Sequence, residues 1–373
     1  MKSGIFNVPY MRPERTPREV FDYSVLMARE ADQAGFTDFM IGEHATQGWE
    51  SVPNPEIVIG ACARETERIR FAPMAHLLGL HQPGSLAIQV GWLSRVLKGR
   101  YFLGIGPGAY PRDAIIRGQA ADLSEARPRR DEALEIMRKV WKREPFHYEG
   151  RFFTGGFPEE EPSAEDGHQE HVMPDFSPWG GSEALEIAVT ALSYNSSSMR
   201  YAGENGFSPI SFFGGVDVAR SHWDTYTEGA AANGHPLDRE RFRICRDIFV
   251  ADTDKEARKR AINGGLGHCW EKYLVPIYQR FGILQGYIDD SGTGIDLADV
   301  DMDFIAEHVW LCGSPETVIR KIEEMNERIG GFGEIVLNTQ DYIDDPTPWI
   351  ESMHRIAKEV VPCVRPVGTA ATA

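Results

Sequence analysis

The chain has 373 residues, 42% of them apolar and 25% charged. These proportions exclude a disordered, collagenous or coiled-coil chain and suffice for a large core. Lys and Arg number 39 against 56 Asp and Glu, a net charge of −17, which lacks the basic footprint of a nucleic-acid binder and the polybasic run that grips an anionic membrane.

A short apolar run at 2–9 predicts the first strand. Residues 17–35 predict a helix, because Val20, Tyr23, Met27, Ala31 and Ala34 recur at three- and four-residue steps and Gly35 stops them. A buried strand is expected at 36–42. Asn54 and Pro55 read as the N-cap and first turn of a helix reaching about Thr66. A strand at 69–78, a helix at 84–97, a strand at 100–106 and a helix at 126–142 complete four strand–helix units. The rhythm then breaks. Glu149-Gly150 predicts the turn of a small hairpin over 146–153, and 158–182 reads as an acidic surface insertion. Alternation resumes with strands at 185–192, 207–213 and 242–250 and helices at 196–206, 216–233 and 255–263. A second irregular stretch, 264–310, reads as a mobile lid with a Trp/Tyr-rich helical segment at 269–281 and a Gly/Asp-rich loop at 289–303. A helix opening at Ser314-Pro315 and running to Ile329, a strand at 333–339 and a helix at 348–360 close the series.

Eight apolar strands, each followed by a helix, predict an α/β chain of the (β/α)8 TIM barrel class, with insertions after strand 4 and after strand 7. The expected organisation is one domain over 1–364, with insertions at about 146–184 and 264–310, and a flexible tail at 365–373. Five cysteines lie far apart with no CxxC pair, so a disulfide framework and a cysteine zinc site are not expected, and a cytoplasmic setting is. The start of the chain lacks the apolar core of a signal peptide, and no run approaches the ~18 apolar residues of a membrane span.

In this class the active site lies at the carboxyl ends of the strands. The segment Gly104-Ile105-Gly106-Pro107-Gly108-Ala109 formally matches a dinucleotide fingerprint. It sits in the fourth unit and its helix begins some fifteen residues later, so that reading is rejected. A tight turn and a backbone brought close to a flat ligand both remain open there. After strand 5, Tyr194-Asn195-Ser196-Ser197-Ser198 enters a helix, where hydroxyls and free N–H groups serve either capping or a phosphate. His44 follows strand 2 and suits an acid, a base or a structural contact. His44, His76 and His81 close adjacent strands, but no HxH or HxxxH pair supports a metal site and Glu43 is the one obvious acid near them, so none is expected. The rim residues Tyr10, Trp49, Leu78, Tyr110, Phe212 and Trp310 suit a planar cofactor and an apolar substrate, or plain core packing.

The run FMIGEHATQGWESVPNPEIVIGACARETERIRF, with its Glu43-His44 pair, resembles the strand 2 to strand 3 region of the bacterial luciferase-like flavin monooxygenases. LKGRYFLGIGPGAYPRDA resembles the strand 4 segment of the limonene and diketocamphane monooxygenase branch, and WLCGSPETVIRKI resembles that family's late helix start. The likeness covers about 1–155 and 184–362. It implies a two-component monooxygenase, often a homodimer. Such an enzyme takes reduced FMN (FMNH2) from a separate NAD(P)H:flavin reductase. Through a flavin C4a-(hydro)peroxide it inserts one atom of O2 into an apolar, cyclic or terpenoid substrate.

Carried over, His44 matches the catalytic histidine that faces flavin and substrate. Met74 and Ala75 match backbone beneath the isoalloxazine, where some members place a non-proline cis bond. Gly106 and Gly108 match the loop near the ribityl chain, and Asn195, Ser196, Ser197 and Ser198 match the phosphate site. Ala45 stands where many members have a second histidine. Pro107 stands where some have a phosphate-binding arginine, which leaves that charge to Arg112 or Arg200. The alternative on the same fold is hydride transfer with deazaflavin F420, whose anionic tail wants more basic residues than the strand ends offer. A non-catalytic flavin-binding scaffold would not need His44 or the serines.

Overall fold

The computed structural model describes residues 1–159 and 173–365. The middle of the acidic insertion and nearly all of the expected tail lie outside these. Strand–helix alternation runs along the chain as in a (β/α)8 fold, in agreement with the sequence reading. Two compact units are distinguished: Met1–Met74 with the chain from Ala188 onward, and Ala75–Ile187.

In the first unit, seven strands run parallel in the order Arg70–Pro73, Asp38–Ile41, Lys2–Tyr10, Glu334–Gln340, Arg243–Arg246, Ser208–Phe212, Ile187–Ala191. Side chains alternate across such a sheet. The ring of Phe6 meets that of Phe212 at 4.8 Å on the inner face. At the N-terminal edge of that face, Arg243 donates to Asp38 Oδ2 and to Glu334 Oε2, each at 2.9 Å, and Arg70 clasps Asp38 from the other side at 2.8 Å. Burial and the Asp38 carboxylate push Glu334 well above the usual range, against the pull of Arg243 and Arg70. A Cβ at Gly4 would lie 2.4 Å from Glu334 Oε1, so only glycine admits that carboxylate.

Helices cover the sheet for reasons visible locally. Thr16 and Glu19 form a capping box at the start of Pro17–Ala34, and Gly35 closes it at φ 103°. Ser314 caps Pro315–Ile329 as expected. Asn54 holds the cap position of Pro55–Glu65 without a side-chain bond.

Several expectations need correction. The run 242–250 is two strands, Arg243–Arg246 and Ile248–Val250; the second leaves the sheet to pair with Leu311–Gly313. Asp247 makes the break, its carbonyl accepting from Leu311 N at 3.0 Å. The stretch 264–310 is largely helical, including Val275–Arg280, Ile283–Ser291 and Met302–His308. Its Trp270, Tyr278, Leu284 and Ile305 are buried, which is the packing of a core element rather than of a loose lid. The run 69–78 is Arg70–Pro73 followed by a separate short strand, His76–Leu77.

The second unit pairs His76–Leu77 in parallel with Leu103–Gly106 and packs the helices Pro83–Val96 and Ala126–Lys142 together. Its hairpin joins Phe146–Glu149 to Thr154–Phe157, four residues further on than expected. The loop is longer because Glu132 of the adjacent helix accepts the N–H groups of Arg151, Phe152 and Phe153 at 2.8–3.2 Å.

Candidate active site

The loop after Asp38–Ile41 starts at Gly42, where a Cβ would lie 2.4 Å from Val8 O. His44 then folds back, its N–H donating to Val52 O at 2.9 Å. The imidazole Nε2 lies 3.0 Å from Glu50 Oε2. Tyr273 donates its hydroxyl to the other oxygen, Oε1, at 2.7 Å. Glu50 is buried and bridges to Tyr10, and the Trp49 carbonyl accepts from Met11 N at 2.9 Å. Trp49 stacks on Tyr273 at 5.4 Å with ring planes 13° apart. Tyr10 lies 6.2 Å from Tyr273 and 6.3 Å from Phe213, whose ring touches that of Phe212 at 4.0 Å. Burial, then Tyr278 and the Glu50 carboxylate, hold Tyr10 well above the usual phenol range, so it keeps its proton.

Next to this group is Asp247. It accepts from Trp270 Nε1 at 2.9 Å, Gln340 Nε2 at 3.1 Å and Asn338 Nδ2 at 3.3 Å. Burial outweighs these three bonds and the Arg246 charge and pushes its carboxyl up to about 6. Around it Trp310 Nε1, the Tyr278 hydroxyl, Asn338 Oδ1 and Gln340 Oε1 are buried without a partner among the described residues. Each such group costs about 1–3 kcal/mol if left unmatched.

The loop 193–198 is built for exposure. Asn195 takes a left-handed φ of 51° and donates its N–H to Ser221 Oγ at 3.2 Å. His222 anchors the same loop through Nε2 to Ser193 O at 2.8 Å, with Nδ1 at 2.9 Å from Ser211 Oγ. Burial drives that imidazole down to about 4, so it is a neutral fastener. Ser196 is buried and caps Ser197–Glu204 by accepting from Ser198 N at 3.2 Å. Asn195 and Ser197 are exposed and Ser198 half-buried. Arg200 is exposed and pairs with the exposed Glu228 at 2.5 Å. Arg112 is exposed on Pro111–Ile116.

Met74, in the first unit, is buried with its N–H on Ile41 O at 2.6 Å. The cis bond that the resemblance allowed beside Ala75 is absent; the cis peptide among the described residues is Val8–Pro9. In the second unit, Gly108 has φ +91°, and a Cβ on Gly106 would meet Ala75 Cβ at 3.4 Å. The loop therefore turns tightly and keeps its strand end thin. Pro107, Gly108 and Tyr110 line a cavity of about 120 Å3 with Gly79, Leu80 and Arg129, while Leu78 is fully buried.

The first unit thus joins His44, Trp49, Tyr10 and Phe212 into one aromatic and acid–base group. Trp310 belongs to the Asp247 cluster. Glu50, Tyr273, Asp247 and His222 were missed by sequence reading. Glu50 was within reach of it, as an acid six residues past His44 in the same loop.

The sequence model described as luciferase-like monooxygenase matches residues 1–331. The 2,5-diketocamphane 1,2-monooxygenase 1 of Pseudomonas putida is 54% identical over 365 residues, covering 98% of this chain and 99% of that one. The 3,6-diketocamphane 1,6-monooxygenase of the same organism is 48% identical over 373 residues, covering 97% and 98%. Among solved structures, the oxygenating constituent of 3,6-diketocamphane monooxygenase from the Pseudomonas putida CAM plasmid, a type II Baeyer-Villiger monooxygenase in complex with FMN, superposes with a TM-score of 0.94 at 47% identity, covering 98% and 99%.

Proposed function

The chain belongs to the luciferase-like monooxygenases, and on that footing we propose that it oxidises a bicyclic terpenoid ketone to a lactone. It is a flavin-dependent monooxygenase that uses reduced FMN and O2, with a separate flavin reductase as its partner. In the proposed reaction a C–C bond beside the carbonyl breaks, one atom of O2 enters there, and the other leaves as water while reduced FMN becomes FMN. The observation that carries this is the 54% identity to a diketocamphane monooxygenase over nearly the whole of both chains. That likeness also favours FMN over F420.

The residues present fit the cofactor. Asn195, Ser197 and Ser198 stand at a helix N-terminus, and the Ser196 hydroxyl, already an acceptor, keeps its proton for a phosphate oxygen. Asn338 Oδ1 and Gln340 Oε1 are buried acceptors open to a donor outside the chain. Bound reduced FMN supplies the two electrons that activate O2. The chain's part is to hold and shield it. Glu50 fixes the His44 ring by accepting from Nε2, which leaves Nδ1 an acceptor and base in the neutral ring and a donor and acid in the protonated one. Tyr10, Trp49 and Phe212 exclude water. Met74, Ala75, Gly106 and Gly108 are assigned to the isoalloxazine and ribityl chain, and Leu78, Tyr110 and Trp310 to the substrate, with residues 1–364 acting as one catalytic domain.

A second copy of the chain is the proposed partner in a homodimer. Ile88, Trp92 and Val96 repeat every four residues along Pro83–Val96 and are 42%, 59% and 49% exposed, an apolar stripe that suits a protein contact. All five cysteines are free, which supports a reducing cytoplasm. No helix among the described residues is long and apolar enough to cross a membrane.

The test is turnover of 2,5-diketocamphane with FMN, NADH and a flavin reductase under 18O2, read by mass spectrometry. A lactone carrying one labelled atom is expected. No product, or a label drawn from water, refutes the reading.

A further inference from the structure

The cluster around Asp247 holds two hydrogen-bond donors that nothing among the described residues accepts. Trp310 is 1% exposed and Tyr278 2%; the indole Nε1 and the phenol oxygen are buried without a partner among the described residues. Both rings pack against one indole. Tyr278 meets Trp270 edge-on at 5.3 Å and 90°, and Trp310 meets it at 6.0 Å and 74°. Trp270 cannot turn away, being fully buried with its Nε1 on Asp247 Oδ2 at 2.9 Å. Buried Tyr and Trp heads almost always find an acceptor. Two that do not, both packed on the Trp270 that Asp247 holds just past the end of the strand Arg243–Arg246, mark a place for an acceptor that comes from outside.

The chemistry of that acceptor follows from the donors. Burial, together with Tyr287 and the Asp247 and Glu50 carboxylates, keeps the Tyr278 proton in place. An indole N–H does not titrate and cannot accept. The matching partner is an oxygen with lone pairs and no proton, and a ketone carbonyl is such a group.

We propose that Tyr278 and Trp310 donate hydrogen bonds to the carbonyl oxygen of the ketone substrate, and that Asp247 is a positioning residue that acts through Trp270. The proposal rests on the ketone reading above. As the carbonyl carbon bonds to the incoming oxygen, the C=O π pair moves onto the carbonyl oxygen. It returns as the neighbouring carbon migrates to the incoming oxygen and the O–O bond breaks, the far oxygen leaving with its electron pair to become water. Donors fixed beforehand stabilise that charge without reorganising.

The test uses 2,5-diketocamphane labelled with 13C at its carbonyls, bound to the full chain with oxidised FMN so that no turnover occurs, and infrared difference spectroscopy. A carbonyl band is expected to fall in frequency on binding. Tyr278→Phe and Trp310→Phe should each return it part of the way and raise KM about tenfold, with FMN affinity unchanged. Asp247→Asn should broaden the band, because the donors lose their single geometry. If Trp310→Phe does not fold, Tyr278→Phe decides the matter alone. Ketone that binds and is oxidised with band and KM unchanged in the variants overturns this assignment alone. Failure of the unaltered protein to bind any ketone overturns the ketone reading, and this assignment with it.

Discussion

Replacing Glu50 by Ala removes the acceptor for two donors at once, Tyr273 Oη at 2.7 Å and His44 Nε2 at 3.0 Å. A hydrogen bond to a charged partner contributes about 1.5–3 kcal/mol. The Tyr273 bond is buried and is given the whole of that range. The His44 side chain is 20% exposed, so water partly replaces its bond and the lower half of the range applies. The sum is a loss of about 3–5 kcal/mol of unfolding free energy, read from urea titrations. Tyr273→Phe removes one of the two bonds and is expected to cost about half as much. Glu50→Gln keeps an acceptor but not the charge. Its stability should fall by only about 1–2 kcal/mol, while kcat for ketone oxidation falls roughly 10- to 100-fold as the imidazole loses its fixed orientation. The reasoning is refuted if Glu50→Ala costs under about 1 kcal/mol with kcat unchanged, for then the carboxylate neither holds nor orients the ring.

Replacing Ser197 and Ser198 together with Ala should weaken FMN binding by about 1–3 kcal/mol in a fluorescence titration; an unchanged Kd would place the phosphate elsewhere. Asp247 sets a pH slope. Its folded carboxyl, at about 6, lies above its ordinary 3.8, so the folded state keeps a proton that the unfolded chain has released. Stability from this group is therefore full below about pH 4 and is lost as pH rises to 6, by on the order of 2–3 kcal/mol. Asp247→Asn should remove that slope from Tm measured against pH, and an identical slope in the variant would contradict it. Trp92→Glu places a charge in the exposed stripe and should yield monomers in light scattering with little change in Tm; a persistent dimer would move the interface elsewhere.

His44 and the 195–198 loop were legible because each lies within a few residues of the end of an apolar run, and chemistry in this fold gathers there. Their partners were not. Tyr273 is 223 positions from Glu50, and Asn338 and Gln340 are 91 and 93 from Asp247. No local period records such pairings. Asp247 did leave a trace, as the single acid in the run FRICRDIFV, and the strand breaks there. The helical segment expected at 269–281 was legible from its aromatic residues, but the Gly- and Asp-rich reading of 289–303 concealed Met302–His308, whose neighbour Trp310 packs on Trp270. That is tertiary information overriding local propensity. The hairpin was displaced for a similar reason, by a carboxylate on another helix.

The buried ions at the N-terminal edge of the sheet bear on how this enzyme can be redesigned. Asp38, Arg70, Arg243 and Glu334 form a set in which each charge answers another. Changing Asp38, Arg243 or Glu334 strands a partner without solvent, at about 3–5 kcal/mol, whereas exchanging these buried groups jointly for well-fitted apolar side chains, with half-exposed Arg70 at their edge, is often neutral or better. A library that varies these positions one at a time will read as intolerant. A library that varies them jointly, with Gly4 free to regain a side chain once Glu334 is gone, will find folded sequences in the same place. The region is closed to stepwise change and open to concerted change.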